Sequence, residues 1–247
     1  HILRSNQLYE FESIILKKKA TLTVDVWKTK APLQEHTNMD GSGGVLLLRV
    51  SGNIVMHEGS KITVRGCGYV GGHGKGCKGG KGFGAKASGG DAGEWNSSTG
   101  GLYVSKGIGN AEMDGALVLG SGGGGHTGAG NRFFPGGSGG GVLKIECGKL
   151  VFKGDACVLT ASGSNSVHGG GGSGGILWLR CLGIAGKDEV IQKCKITNKG
   201  GSGDGDEYSE GKEGGEEGRI RIDVLQKTNW NKIKAIVKCK NVFYGEF

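Results

Sequence analysis

The stretch GGSGGGVLKIECGKLVFKGDACVLTAS, residues 136–162, carries the pattern that decides the fold. A glycine arm at 136–141 runs into Lys144-Ile145-Glu146-Cys147, where polar and apolar side chains alternate at a period of two. A turn with glycine and aspartate follows, and then a second apolar segment around Val158-Leu159. The same grammar recurs along the chain. Ninety-six residues upstream, Gly41-Ser42-Gly43-Gly44 leads into VLLLRVSGNIVMHEGSKITVRG, with Gly52 answering to Gly148. Downstream, Ser173-Gly174-Gly175 leads into ILWLRCLG and, after a turn, KCKITNKGG. A looser fourth copy starts at Gly218 with RIRIDV and ends near KIKAIVKCKNVFY. No stretch longer than ten residues has a helical period. One unit is too small to bury a core alone, so the reading is an all-β fold of repetitive stacked strands, β-solenoid or sandwich-like.

The arms pose a physical question. Glycine supplies 55 of 247 residues, about three times its ordinary share of ~7 %, and each ordered glycine gives up more backbone entropy than any other residue. Two prolines exclude collagen. Ordered glycine arms must pair their backbone groups. Without side chains in the way, extended arms can lie side by side and bond laterally. The expectation is polyproline-II-like strands (polyglycine II packing) or tight loops laid on a sheet. Residues 1–40 read as capping strands ahead of a glycine-rich repeat domain at 41–247, with an insertion at about 66–136 that contains GGHGKGCKGGKGFG (71–84). GGSGDGDEYSEGKEGGEEG (200–218) reads as a solvated acidic loop.

Seven cysteines fall partly into the repeat. Cys147 matches Cys181, and Cys157 matches Cys194. Copies stacked in register would place such residues about 4.7–4.9 Å apart, inside the roughly 4.4–6.8 Å between Cα atoms that a disulfide tolerates. Cys147–Cys181 and Cys157–Cys194 are the first connectivity. A hairpin within one repeat would instead pair Cys147 with Cys157. Cys67 and Cys77 could close a glycine loop, leaving Cys239 free or intermolecular. Seven reduced thiols in an intracellular protein are the plain alternative. The sequon Asn96-Ser97-Ser98 tilts the balance towards secretion as a glycosylation acceptor.

Residues with the right chemistry for a site are few. His73, His126 and His168 all sit in glycine tracts, a conceivable three-histidine metal site. Imidazoles capping glycine strands explain them better, because no i, i+2 or i, i+4 ligand spacing is present, and no metal or cofactor is expected. Asp204, Asp206 and Glu207 depart from a calcium loop at Tyr208. Glycine-rich phosphate loops need a helix that this sequence lacks. Glu146, Asp155 and Arg180 are the nearest approach to a glycosidase- or lyase-like set, and the reading is that the chain is not an enzyme. The net charge of +8 could attract acidic polysaccharide or a mineral surface. Nucleic acid is disfavoured because interleaved aromatics are lacking. Trp95 is the tryptophan placed to stack on a sugar, and no apolar run reaches the length of a membrane span.

From about Ser60 to Val224 the chain resembles the glycine-rich β-repeat regions of large secreted or cell-surface proteins. The order of motifs carries the resemblance: GGGGHTGAGN (122–131), GGSGGGVLKIE (136–146), GGGGSGGILWL (169–179) and EEGRIRID (216–223). It implies a rigid extracellular β-repeat scaffold and brings no catalytic residues with it. The chain opens at His1 without a methionine or an apolar leader, and reads as a processed or excerpted segment. The functional expectation is a secreted or surface structural protein that self-assembles into a fibre or matrix. The alternative is an adhesin-like binding module for carbohydrate or another polyanion.

Overall fold

The computed structural model describes residues 1–5, 7–25, 44–72, 93–94, 119–128, 132–167, 169–203, 214–225 and 230–245. The chain makes successive passes through two sheets. The first pass holds β1 (Ile2–Leu3), β2 (Gln7–Phe11), β3 (Ile14–Leu16) and β4 (Thr21–Val24). The second holds β5 (Val45–Val50), β6 (Ile54–Met56) and β7 (Lys61–Thr63). After β8 (Gly93–Glu94), β9 (His126–Gly128) and β10 (Arg132–Phe134), which form a small sheet of their own, come β11 (Val142–Phe152) and β12 (Val158–Thr160). The next pass holds β13 (Ile176–Ala185), the short helix α1 (Asp188–Ile191) and β14 (Lys195–Thr197). The last holds β15 (Arg219–Val224), α2 (Trp230–Ile236), β16 (Val237–Lys238) and β17 (Val242–Gly245).

One sheet runs β17-β15-β13-β11-β5-β2 and the other β1-β4-β7-β12-β14-β16, so strand order follows pass order in both. Every pairing in these two sheets is parallel. The fold is therefore all-β and built on parallel sheets. Parallel strands cannot be joined by a tight hairpin. Between β11 and β13 the return path is β12 in the other sheet and the glycine arms on either side of residue 168. This removes the hairpin that would have joined Cys147 to Cys157, because β11 and β12 lie in different sheets.

In-register pairing turns the alternating sequence into rows. Leu48, Ile145, Leu179 and Ile222 are successive partners, as are Leu46, Leu143, Leu177 and Ile220. Leu22, Ile62, Leu159 and Ile196 form the matching row of the second sheet. All are buried and belong to one contiguous core. The alternate residues face outwards, so these parallel strands do not read as the unbroken apolar runs typical of sheets covered on both faces.

The offset of ninety-six residues needs one refinement. Val45 pairs with Val142 and Lys61 with Val158, an offset of 97, whereas Ile54 pairs with Leu150, an offset of 96. The second pass carries one more residue at the turn 51–53, and the third carries one more at 153–157. That second turn contains Ala156 in the left-handed region (φ 54°). The fourth copy also differs from expectation. Trp230–Ile236 is helical, and Ile233 and Ile236 are buried against the core. A spacing of three between two apolar side chains puts both on one face of a single helical turn, which a period-two reading misses.

The arms lie beside one another and bond laterally at intervals of three residues. Gly137 and Gly140 donate N–H to Gly170 and Ser173, while Gly136 and Gly139 donate to Gly72 and Tyr69. Gly123 and Gly120 donate in turn to Gly137 and Gly140, and Gly170 and Ser173 to Gly124 and Ser121. Glycine is required here by crowding. A Cβ at Gly139 would lie under 3.0 Å from backbone atoms of Gly120 and Ser121, and at Gly172 from those of Ser138 and Gly139. Gly139→Ala should therefore cost about 1–3 kcal/mol, the usual penalty of overpacking. That lowers the melting temperature by roughly 2–4 °C per kcal/mol in a chain of this size. Gly214→Ala, whose nearest neighbour would stand at 3.2 Å, should melt within a degree or two of the parent in the same thermal scan.

Candidate functional site

In-register stacking places outward residues of neighbouring strands about 4.7–4.9 Å apart, so like charges in one row would repel. The first sheet avoids this by alternating sign: Glu10, Arg49, Glu146, Arg180 and Asp223 are successive register partners. Arg49 reaches Glu10 at 2.8 Å and Glu146 at 3.5 Å, and Lys144 reaches Glu146 at 3.1 Å. The hydrogen bond to Glu10, reinforced by Glu146, raises the Arg49 pKa further. Burial alone would raise the Glu146 pKa, but Lys144 and then Arg49 outweigh it and hold that carboxyl below its usual range.

The adjacent row is aromatic and cationic. Lys144, Trp178, Arg221 and Phe243 are partners in turn. The Lys144 ammonium stands 4.4 Å from the Trp178 ring centroid on one side and the Arg221 guanidinium 4.9 Å on the other, with Phe243 5.3 Å beyond Arg221. Asp223, 2 % exposed, accepts from Trp178 Nε1 at 2.7 Å and from Arg221 Nε at 3.0 Å. The charges of this face satisfy one another, and the arrangement fixes register.

The second sheet presents a different outer face. Thr23, Thr63, Thr160 and Thr197 form one row across four strands. On one side lies the row Lys61, Val158, Lys195. On the other, the same offsets continue past the strand ends to align Arg65, Ser162 and Lys199, held by Gly66 N–H to Ser162 and Gly163 N–H to Lys199. Lys61, Thr63, Arg65, Val158, Thr160, Ser162, Thr197 and Lys199 line an open groove of about 790 Å³, with no carboxylate and no aromatic ring in its wall among the described residues, and Lys195 stands beside it in register with Val158. Its floor is tied down by short bonds. Thr160 Oγ1 donates to Ser162 Oγ at 2.8 Å, and Ser162 Oγ accepts from Lys199 N–H at 3.0 Å. Arg65 is pinned flat, Nε to the Gly163 carbonyl and Nη2 to Asn165 Oδ1 at 2.9 Å. Among the described residues no carboxylate pairs with Lys61, Arg65, Lys195 or Lys199.

The residues singled out from sequence are distributed as follows. Cys147 and Cys181 are register partners on β11 and β13, and Cys157 and Cys194 immediately precede the partners Val158 and Lys195. All four are buried and present as thiols. Cys157 and Cys194 both approach the Gly154 carbonyl, at 3.1 and 3.7 Å. A hydrogen bond from the Cys194 thiol, helped by Ser60, draws the Cys157 pKa down to about 7, and the same contact pushes Cys194 up. Cys147 is raised by its bond with Cys181 and by burial. Cys67 is buried and raised to about 11 by desolvation, whereas Cys77 lies outside the described residues. Glu146 and Arg180 are neighbours in the charge ladder, but Asp155 sits in the turn after β11, where it pairs with Lys193 at 3.6 Å. The three do not converge.

His73, His168, Asn96, Trp95, Asp204, Asp206 and Glu207 lie outside the described residues, and only the backbone of His126, in β9, is described. Among the described residues no group of three metal-ligating side chains comes together, and no helix is long and apolar enough to cross a membrane. The threonine row escaped the sequence reading, although KIT at 61–63, VLT at 158–160 and KIT at 195–197 carry it openly. Comparison of the chain with protein-family models, with curated proteins and with solved structures gave no match.

The buried Asp223 and the exposed Glu10 belong to one ladder but differ in energetic weight. Asp223→Ala leaves the Trp178 Nε1 donor without its acceptor and removes the carboxylate from Arg221, and should destabilise the fold by about 3–5 kcal/mol. Glu10→Ala removes a solvent-exposed partner and should cost about 1 kcal/mol or less. Denaturant titration of the two variants measures the difference.

Proposed function

We propose that the chain is a rigid, non-catalytic scaffold, secreted or held at a cell surface, that assembles through the ends of its strand stack. In this reading the passes are coils of a β-solenoid, and the arms form a polyglycine-II-like bundle alongside it. The observation that carries the proposal is the location of exposed apolar surface. Among the described residues, four of the seven exposed large hydrophobic side chains, Ile2, Leu8, Phe11 and Ile15, lie on β1–β3, the terminal pass. There β2 and β1 are also the outermost strands of their sheets, and unpaired strand edges are templates for another chain. At micromolar concentration, sedimentation should show concentration-dependent association, and Leu8→Lys with Phe11→Lys should abolish it. A parent chain that stays monomeric at all concentrations overturns the assembly reading.

An extracellular setting also favours oxidation of the two aligned cysteine pairs. Bridges Cys147–Cys181 and Cys157–Cys194 would each join consecutive coils, contributing typically 2–4 kcal/mol by restricting the unfolded chain. Non-reducing peptide mapping of native material should recover these two linkages. Recovery of all four as free thiols counts against secretion.

A further inference from the structure

We propose that the outer face of the second sheet is a binding groove for an acidic polysaccharide, lying across the strands over the threonine row. The proposal uses the side of the stack and is independent of association through its ends.

Three cations, Lys61, Arg65 and Lys199, line the site, and Lys195 stands beside it in register with Val158. Lys61 and Lys195 flank Val158 in one row, and Arg65 and Lys199 flank Ser162 in another. Two strand spacings separate the members of each pair, roughly 9–10 Å. Four residues along a strand separate the rows, roughly 13 Å at ~3.3 Å per residue. Between them Thr63, Thr160 and Thr197 supply hydroxyl groups at every strand.

The contrast with the first sheet gives this arrangement its meaning. There the outward row from Glu10 to Asp223 alternates in sign, so that neighbouring charges in it are opposite. Here the cations are kept from repelling one another by neutral spacers, Val158 and Ser162, and Lys61, Arg65 and Lys199 line the groove. The charge needed to neutralise them is supplied by a ligand.

The wall chemistry selects the class of ligand. Among the described residues no aromatic ring lines the groove for a base to stack on, as single-stranded nucleic acid prefers. Among the described residues Val158 is the only large apolar side chain in the wall, too little for the hydrophobic centre of a protein interface. Hydroxyl, amide and backbone groups with cations at fixed intervals fit a hydroxyl-rich chain bearing carboxylates or sulfates. A sugar residue is about as long as one strand spacing, so cations on alternate strands match an anionic group on every second sugar. Arg65, held by Gly163 and Asn165, loses little freedom on binding.

The test is affinity measurement on the whole chain with heparin and polygalacturonate as probes, neutral dextran as control and single-stranded DNA as comparator. Lys61→Gln with Lys195→Gln should weaken binding of at least one acidic glycan at least tenfold, and Arg65→Gln alone several-fold. Lys149→Gln with Lys153→Gln, exposed lysines elsewhere with the same change in net charge, should alter it less than twofold. Circular dichroism checks that each variant is folded. Binding should vanish near 1 M salt, where the Debye length falls to ~3 Å. Equal losses in the groove and control pairs, or DNA binding as tight as glycan binding with the same loss, would mean attraction by net charge alone and overturn the proposal. So would the absence of binding to either acidic glycan.

Discussion

In-register parallel stacking is the constraint on which the rest of the molecule depends. Once β11 pairs with β5 on one side and β13 on the other, every side chain on it has a counterpart one strand spacing away. A core row must then be apolar along its whole length, as Leu48, Ile145, Leu179 and Ile222 are. A charged row must alternate in sign or be diluted. The two sheets take these two solutions separately, with alternation from Glu10 to Asp223 and dilution around Val158 and Ser162. The same constraint aligns Cys147 with Cys181 and places Trp178 between Lys144 and Arg221.

The glycine arms answer a second demand. Strands that all run one way must be returned, and each return must pass close to its neighbours. Helices could cover this ground only with side chains of their own. Arms bonded every third residue cover it with backbone alone, and arms as close as Gly139 and Gly120 leave no space for a methyl group. Ser164 and Ser173 interrupt the glycine where a hydroxyl joins the network, Ser173 accepting from the Ser121 N–H and Ser164 from the Ser138 N–H.

Much of the framework was legible in the sequence because the repeat is written in residue types. Strand identity in VLKIEC, ILWLRC and RIRIDV follows from alternation, and the cysteine alignment follows from the repeat. Other features were not legible for identifiable reasons. The shift between offsets of 96 and 97 arises in turns, where one residue can be accommodated without altering either sheet. The helix at Trp230–Ile236 is too short for a helical period to emerge from KIKAIVKCK. The groove depended on knowing which face of KIT and VLT points outwards and that three passes lie side by side. Each triplet by itself resembles any surface strand.

The two halves of each pass discriminate position very differently. Sliding a sheet strand by one residue exchanges its buried and exposed sets, a change opposed by every apolar row. Sliding a glycine arm by three residues presents its neighbours with almost the same backbone, so the bundle scarcely distinguishes one alignment from the next. The arms are a smooth track with few marks, and the sheets at their ends act as the stops. During folding, therefore, the order of events has structural consequences: arms that associate before their sheets are set would have many nearly equivalent arrangements to search, whereas sheets formed first would deliver each arm already in place.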